Sequence, residues 1–219
     1  MLMLRLPLTL ATAFLTTTTP TTPTPQQDMS FFITSVGAGN GAALGGLEGA
    51  DKHCATLAEA AGVRGKTWHA YLSQQALDGK SVVNARDRIG KGPWKNAKGV
   101  VVATSVDDLH SDSNKLSKEN SITEKGMVVN GRGDTPNEHD ILTGSRADGT
   151  SFAPGPDATC KGWTSSSDGA AIVGHHDRIS AMPEAWGKSW NFSHFSAGCS
   201  QQALVSTGGS GRLYCFAAN

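Results

Sequence analysis

What this chain lacks narrows its chemistry first. It has no excess of either charge, with 19 Lys+Arg against 19 Asp+Glu. Counterion release onto a basic surface drives binding to nucleic acid and to anionic membranes, so neither partner is expected. No CxxC pair occurs, which removes zinc ribbons and thioredoxin-like redox chemistry. HExxH, the P-loop and the GxSxG elbow are all missing, and with them the hydrolase and nucleotide-binding classes those motifs mark. No cysteine precedes Cys54, so the lipid-modified cysteine of bacterial lipoproteins is unavailable. Internal repeats and a second linker are also missing, and one domain is the economical organisation.

What is present points outward from the cell. LPLTLATAFL, after MLMLR, is an apolar run of signal-peptide length, too short to span a bilayer and interrupted by Pro7. Residues 1–18 are expected to be a cleaved secretory signal, the alternative being an uncleaved anchor, and no clean small-x-small site marks the boundary. TTTTPTTPTPQQ has no apolar periodicity, so 19–29 reads as an extended Thr/Pro-rich linker. The folded domain then spans 30–219. Its four cysteines, Cys54, Cys160, Cys199 and Cys215, are an even number in an exported chain. They predict two disulfides, with three pairings open. A secreted, periplasmic or extracellular protein follows, with no membrane insertion once the signal is removed.

The 26 glycines and 17% charged residues indicate a globule rich in turns and loops. FFITSV (31–36) predicts a strand. In GLEGADKHCATLAEAAGV, Leu47, Ala50, Cys54, Leu57 and Ala61 recur at helical spacing, which predicts a helix ended by Gly62. TWHAYL (67–72) alternates as a half-buried strand, and SVVNARDRI reads as a short helix or an irregular segment. GVVVA (99–103) has the character of an interior strand. VDDLHSDSNKLSKENSITEKG reads as a polar surface excursion. MVVNG, DILTGS, GWTSS, AAIVG and RLYCFA are the remaining strand candidates.

Several motifs carry competing readings. Gly37-Ala38-Gly39-Asn40-Gly41-Ala42 fits the dinucleotide fingerprint, but the next strand ends at Ser73 with no carboxylate for a ribose, so a flexible loop is expected. His175, His176, Asp177 and His194 supply imidazole and carboxylate donors for a zinc-type site. Adjacent histidines on a strand face opposite ways, so one of His175 and His176 would be lost to such a site. Arg132-Gly133-Asp134 is an adhesion tripeptide whose use depends on exposure at a loop tip.

GLEGADKHC, KTWHAYLS, SVVNARDRI, ILTGS, TCKGW and LYCFA resemble, in order and spacing, the endostatin domain of collagens, a variant of the C-type-lectin-like fold. NARDRIGKGPW and GCSQQALVSTGG are similar to segments of exported bacterial proteins of unknown function often labelled lectins. The resemblance implies an α+β fold of mixed, mainly antiparallel strands with one or two helices and long loops. It also implies nested disulfides, Cys54–Cys215 and Cys160–Cys199.

Sugar-binding C-type lectins hold calcium with a Glu-Pro-Asn loop and a Trp-Asn-Asp strand. Thr135-Pro136-Asn137 and Trp190-Asn191-Phe192 resemble these, each departing at a carboxylate that Glu138 and Asp140 are near enough to replace. The resemblance therefore implies Asn137, Glu138, Asp140 and Asn191 as calcium ligands, with Trp190 beside them. Trp94, Trp163 and Trp186 are further stacking candidates, weighed against core packing. The expectation is a non-catalytic module recognising a carbohydrate or an extracellular protein. The alternatives are a secreted metal-dependent hydrolase using the His/Asp cluster, or a structural adhesion protein.

Overall fold

The computed structural model describes residues 27–77 and 79–219. The expected signal peptide, and the linker up to residue 26, lie outside the described residues. The domain is a mixed α+β fold of mostly antiparallel short strands, several helices and two disulfides.

The strand β8, Gly209–Ala217, is the axis of the main sheet. Its near-continuous apolar run RLYCFA suits a strand covered on both faces. β1 (Phe31–Ile33) and β2 (Trp68–Ala70) both pair with it antiparallel. Cys215 is the register partner of both Phe32 and Ala70. On the other side, β5 (Asp140–Leu142) runs parallel to β8, followed by β6 (Ile172–His175) and β7 (His194–Phe195), each antiparallel to its neighbour.

Alternation along β8 sends Leu213 and Cys215 into one half of the core and Tyr214 and Phe216 into the other. The first half packs beneath helix α1, Gly46–Ala60, whose buried stripe is Ala50, Cys54 and Ala58. Small residues on that stripe let the helix lie close to the sheet. Gly62, at φ 86°, takes the left-handed turn that stops it. The second half is aromatic: Phe31, Tyr71, Trp94, Trp190, Tyr214 and Phe216. Trp163 is buried in the first, its indole N–H donating to the Ser73 carbonyl. Trp94, Trp163 and Trp190 are thus core residues rather than stacking platforms; Trp186 alone of the five tryptophans is exposed.

Several elements differ from the sequence reading. GVVVA contributes β4 (Val101–Ala103), but this pairs only with β3 (Trp94–Lys95) in a separate two-stranded sheet. MVVNG makes only an isolated bridge, Ile122 to Val128. GWTSS forms no strand, because Cys160, Lys161, Gly162 and Trp163 take left-handed φ in the helical turn α4, Cys160–Trp163. The polar excursion is anchored by buried Leu109, Leu116 and Ile122 and contains the turn α3, Val106–Leu109. SVVNARDRI resolves into α2, Ala85–Arg88, and a final helix α5, Gln201–Ser206, precedes β8.

Cys54 on α1 is bonded to Cys215 on β8, and Cys160 to Cys199 inside that span. No helix among the described residues is long and apolar enough to cross a membrane.

Candidate metal centre

Three neighbouring strands place their polar ends together. Asp140, first residue of β5, is the register partner of His175, last residue of β6, so their side chains share a face. His194, first residue of β7, stands opposite Val173, two residues before His175, which puts it on the same face. His139 immediately precedes β5, and its ring stacks on that of His175 with centroids 4.0 Å apart.

The result is a convergence on one atom. Nε2 of His139, of His175 and of His194 lie 3.2, 3.3 and 3.5 Å from Asp140 Oδ1. In a tetrahedral zinc site the ligand bonds are about 2.0–2.1 Å, so neighbouring donor atoms are roughly 3.3–3.4 Å apart. The separations from Asp140 Oδ1 are of that size, and the donor atoms of His139, Asp140 and His175 all lie within 4.8 Å of one another, a set that does not include His194. None of the three contacts has hydrogen-bond alignment: both Asp140 oxygens and His175 Nε2 are buried without a partner. Unpartnered buried carboxylates are costly, and a cation among these donors removes the cost.

The outer nitrogens explain the tautomers. His139 Nδ1 faces Asp177 Oδ1 at 3.3 Å, His175 Nδ1 the Gly187 carbonyl at 2.6 Å, and His194 Nδ1 the Phe195 carbonyl at 3.0 Å. An Nδ1–H donated outward leaves each Nε2 lone pair pointing at the shared centre, as in metal sites whose histidines are oriented from behind. Asp177 is itself fixed by the Arg132 and Ile179 amides, at 2.6 and 3.1 Å. Burial opposes its ionisation, but the His139 and backbone hydrogen bonds outweigh it and hold the carboxyl well below the usual range. Burial likewise opposes ionisation of Asp140, and His175 and His194 more than offset it, so this carboxyl is also depressed. Contact with Asp140 raises the pKa of His194 above its ordinary value despite partial burial.

Access is uneven. The side chains of His139, Asp140 and His175 are 2–4% exposed, whereas that of His194 is 30% exposed. His194 is the rim of the site, on a two-residue strand at the sheet edge.

Of the residues named from sequence, Asp140, His175 and His194 are brought together, with Asp177 one step behind. His176 is directed away: its Nε2 meets the Asn130 carbonyl. The other calcium candidates are occupied elsewhere. Asn191 donates to Tyr71 Oη and to the Arg146 and Ala147 carbonyls, and its own oxygen accepts from Ser189. Glu138 pairs with Arg212 at 2.7 Å, Asn137 Oδ1 accepts from the His139 amide, and Trp190 is buried. Imidazole nitrogens around one carboxylate suit a borderline transition ion rather than calcium, which requires six to eight oxygens. The adhesion tripeptide has its acid engaged, since Asp134 pairs with Lys118 and accepts from the Gly131 amide.

His139 is the candidate donor that the sequence did not single out as a nitrogen ligand. Its signal was present, a histidine beside an acid at the start of a strand candidate, but it lay inside a stretch read for oxygen donors. No family model matches the chain, and no curated protein matches it. The buried His139/Asp140/His175 cluster has the geometry of a metal site. It overturns the expectation of a purely non-catalytic, lectin-like carbohydrate-binding module, and with it the exclusion of an enzyme.

Proposed function

We propose that this protein is an exported metal-dependent hydrolase in which His139, Asp140 and His175 hold a divalent ion of the zinc class and His194 is its fourth, exchangeable ligand. The observation that carries this reading is the convergence of three imidazole Nε2 atoms on Asp140 Oδ1. A bound ion of this class acts as a Lewis acid toward a carbonyl or phosphoryl oxygen and acidifies a coordinated water. The chain's own contribution is positioning. Asp177 orients His139, and the Gly187 carbonyl orients His175. His139, Asp140 and His175 supply three protein donors, the number found in catalytic sites whose fourth position is open, and His194 stands where that position meets solvent. His194 is the ligand with room to leave. The two disulfides suit an oxidising compartment. The nested bridges and the clamped terminal strand also support the endostatin-like, C-type-lectin-like kinship as a reading of the scaffold.

The test is metal loading followed by assay. Purified protein should take up one zinc per chain and hydrolyse activated carboxylic or phosphate esters, with activity removed by chelator and restored by zinc. His194→Ala should retain bound metal while His175→Ala loses it. Absence of stoichiometric transition metal from the loaded protein refutes the reading.

The burial of the three inner side chains favours a second reading, a closed structural site in which all four ligands stay bound. In that case chelation lowers the thermal midpoint, and loaded protein hydrolyses none of the esters.

A further inference from the structure

A cavity of about 540 Å³ lies near the candidate metal centre but is not lined by its donor residues. Its wall includes Trp186 and Lys188 from the 3₁₀ turn Ala185–Lys188, and their neighbour Gly187 is the residue whose carbonyl holds His175. One turn therefore serves two sites, with its backbone toward the metal and its side chains toward the cavity. Phe192 and buried Trp190 add apolar surface, and Arg178 adds a second cation.

The composition of this lining is selective. Arg178 and Lys188 face only one acid, Asp112, among the described residues of the wall. That acid is fully exposed and stands 3.9 Å from the Arg178 guanidinium, so it neutralises little of the charge. His110 adds no cation at neutral pH, since burial lowers its pKa. Trp186 presents its ring at 39% exposure, unusual for so large an apolar side chain. The backbone that carries it is fixed, since the Trp186 carbonyl accepts from Ser193 Oγ and from the Ser189 amide, at 3.2 and 3.0 Å. Arg178 takes a left-handed φ of 55°, uncommon for arginine. Its amide donates to the His175 carbonyl at 3.0 Å, and its neighbour Asp177 turns inward to His139 and accepts from the Ile179 amide.

We propose that this cavity binds a small aromatic anion, with the ring against Trp186 and Phe192 and a carboxylate, sulfonate or phosphate group at Arg178 and Lys188. The volume is in the range of ordinary small-molecule sites. Arg178 Nη1 donates to Asn114 Oδ1 at 3.2 Å, and the remaining guanidinium N–H groups, with Lys188, supply charged donors for an anion beside aromatic walls. The site stands independently of whether the metal centre is catalytic.

The experiment is calorimetric titration of the intact, disulfide-bonded, zinc-loaded protein with naphthalene-2-sulfonate. Naphthalen-2-ol and naphthalen-2-ylmethylammonium serve as neutral and cationic comparators. The sulfonate should bind with submillimolar Kd, at least tenfold tighter than either comparator. R178Q/K188Q, checked for native near-ultraviolet circular dichroism, should lose at least tenfold for the sulfonate and little for naphthol, whereas Phe192→Ala should weaken both. If the double variant does not fold, Lys188→Gln alone should weaken the sulfonate at least threefold. No binding at millimolar sulfonate, equal affinity for the three probes, or sulfonate affinity unchanged in the cation variants would overturn the proposal.

Discussion

Asp140 shows how much a single atom can carry. Its Oδ1 is the common neighbour of three imidazoles, and neither of its oxygens has a hydrogen-bond partner among the described residues. Behind it, Asp177 sets the ring of His139 without reaching the centre. Asp177→Asn keeps the shape but weakens acceptance from His139 Nδ1, so zinc affinity should fall about 10- to 100-fold. Competition with a fluorescent chelator measures this, and His139→Ala should lose more.

A second residue-scale prediction concerns His110. Its Nδ1 donates to the Val106 carbonyl at 2.7 Å, so its Nε2 accepts from Tyr71 Oη at 2.7 Å, and Asn191 donates to that same oxygen. Burial lowers the His110 pKa below its ordinary value of about 6.5. Below that value the unfolded chain binds the proton more readily than the folded one. Stability is therefore intact above pH of about 6.5 and lost as pH falls toward the lower folded value. The thermal midpoint should drop between pH 7 and pH 5, and His110→Asn, which does not titrate, should flatten that slope.

At the scale of elements, the site depends on strands of two to four residues whose positions are set by close approach. Gly174, between Val173 and His175 on β6, is the clearest case. A Cβ there would lie 1.9 Å from the Trp190 carbonyl oxygen. Gly174→Ala must push β6 from the chain that leads into β7, and should destabilise the fold by about 3 kcal/mol. It should also reduce zinc uptake, because His175 and His194 are carried on those two segments. Denaturant unfolding beside metal titration checks both effects. The expected alternation of adjacent histidines holds, with His175 turned to the cluster and His176 to the Asn130 carbonyl. Polarity misled at α3 and its neighbours, where a few apolar residues, Leu109, Leu116 and Ile122, anchor a segment that is otherwise hydrophilic. GVVVA misled in the opposite sense: a run of valines has the same pattern in a two-stranded ribbon as in a sheet interior.

Across the whole molecule, the bridges bind chain segments that the short strands alone hold weakly. Cys54–Cys215 spans 161 residues and Cys160–Cys199 spans 39. On loop-closure entropy the longer bridge contributes about 5 kcal/mol and the shorter about 4 kcal/mol. C54A/C215A should therefore lower unfolding stability more than C160A/C199A, by equilibrium denaturation, and full reduction should unfold the domain.

The sequence by itself determined that two disulfides form, with their pairing open, and placed the main apolar elements. An even cysteine count, one helical stripe ending at Gly62 and a few β-prone runs are local signals, and they require no knowledge of what lies opposite. It also contained every ligand of the centre. Only the tertiary structure decided which of the seven histidines meet, because that follows from strand register between segments far apart in the chain. A shift of one residue in the β5–β6 pairing would turn His175 to the other face and leave Asp140 without it. Chemistry at a point depends on position in space, which composition and spacing along the chain do not encode.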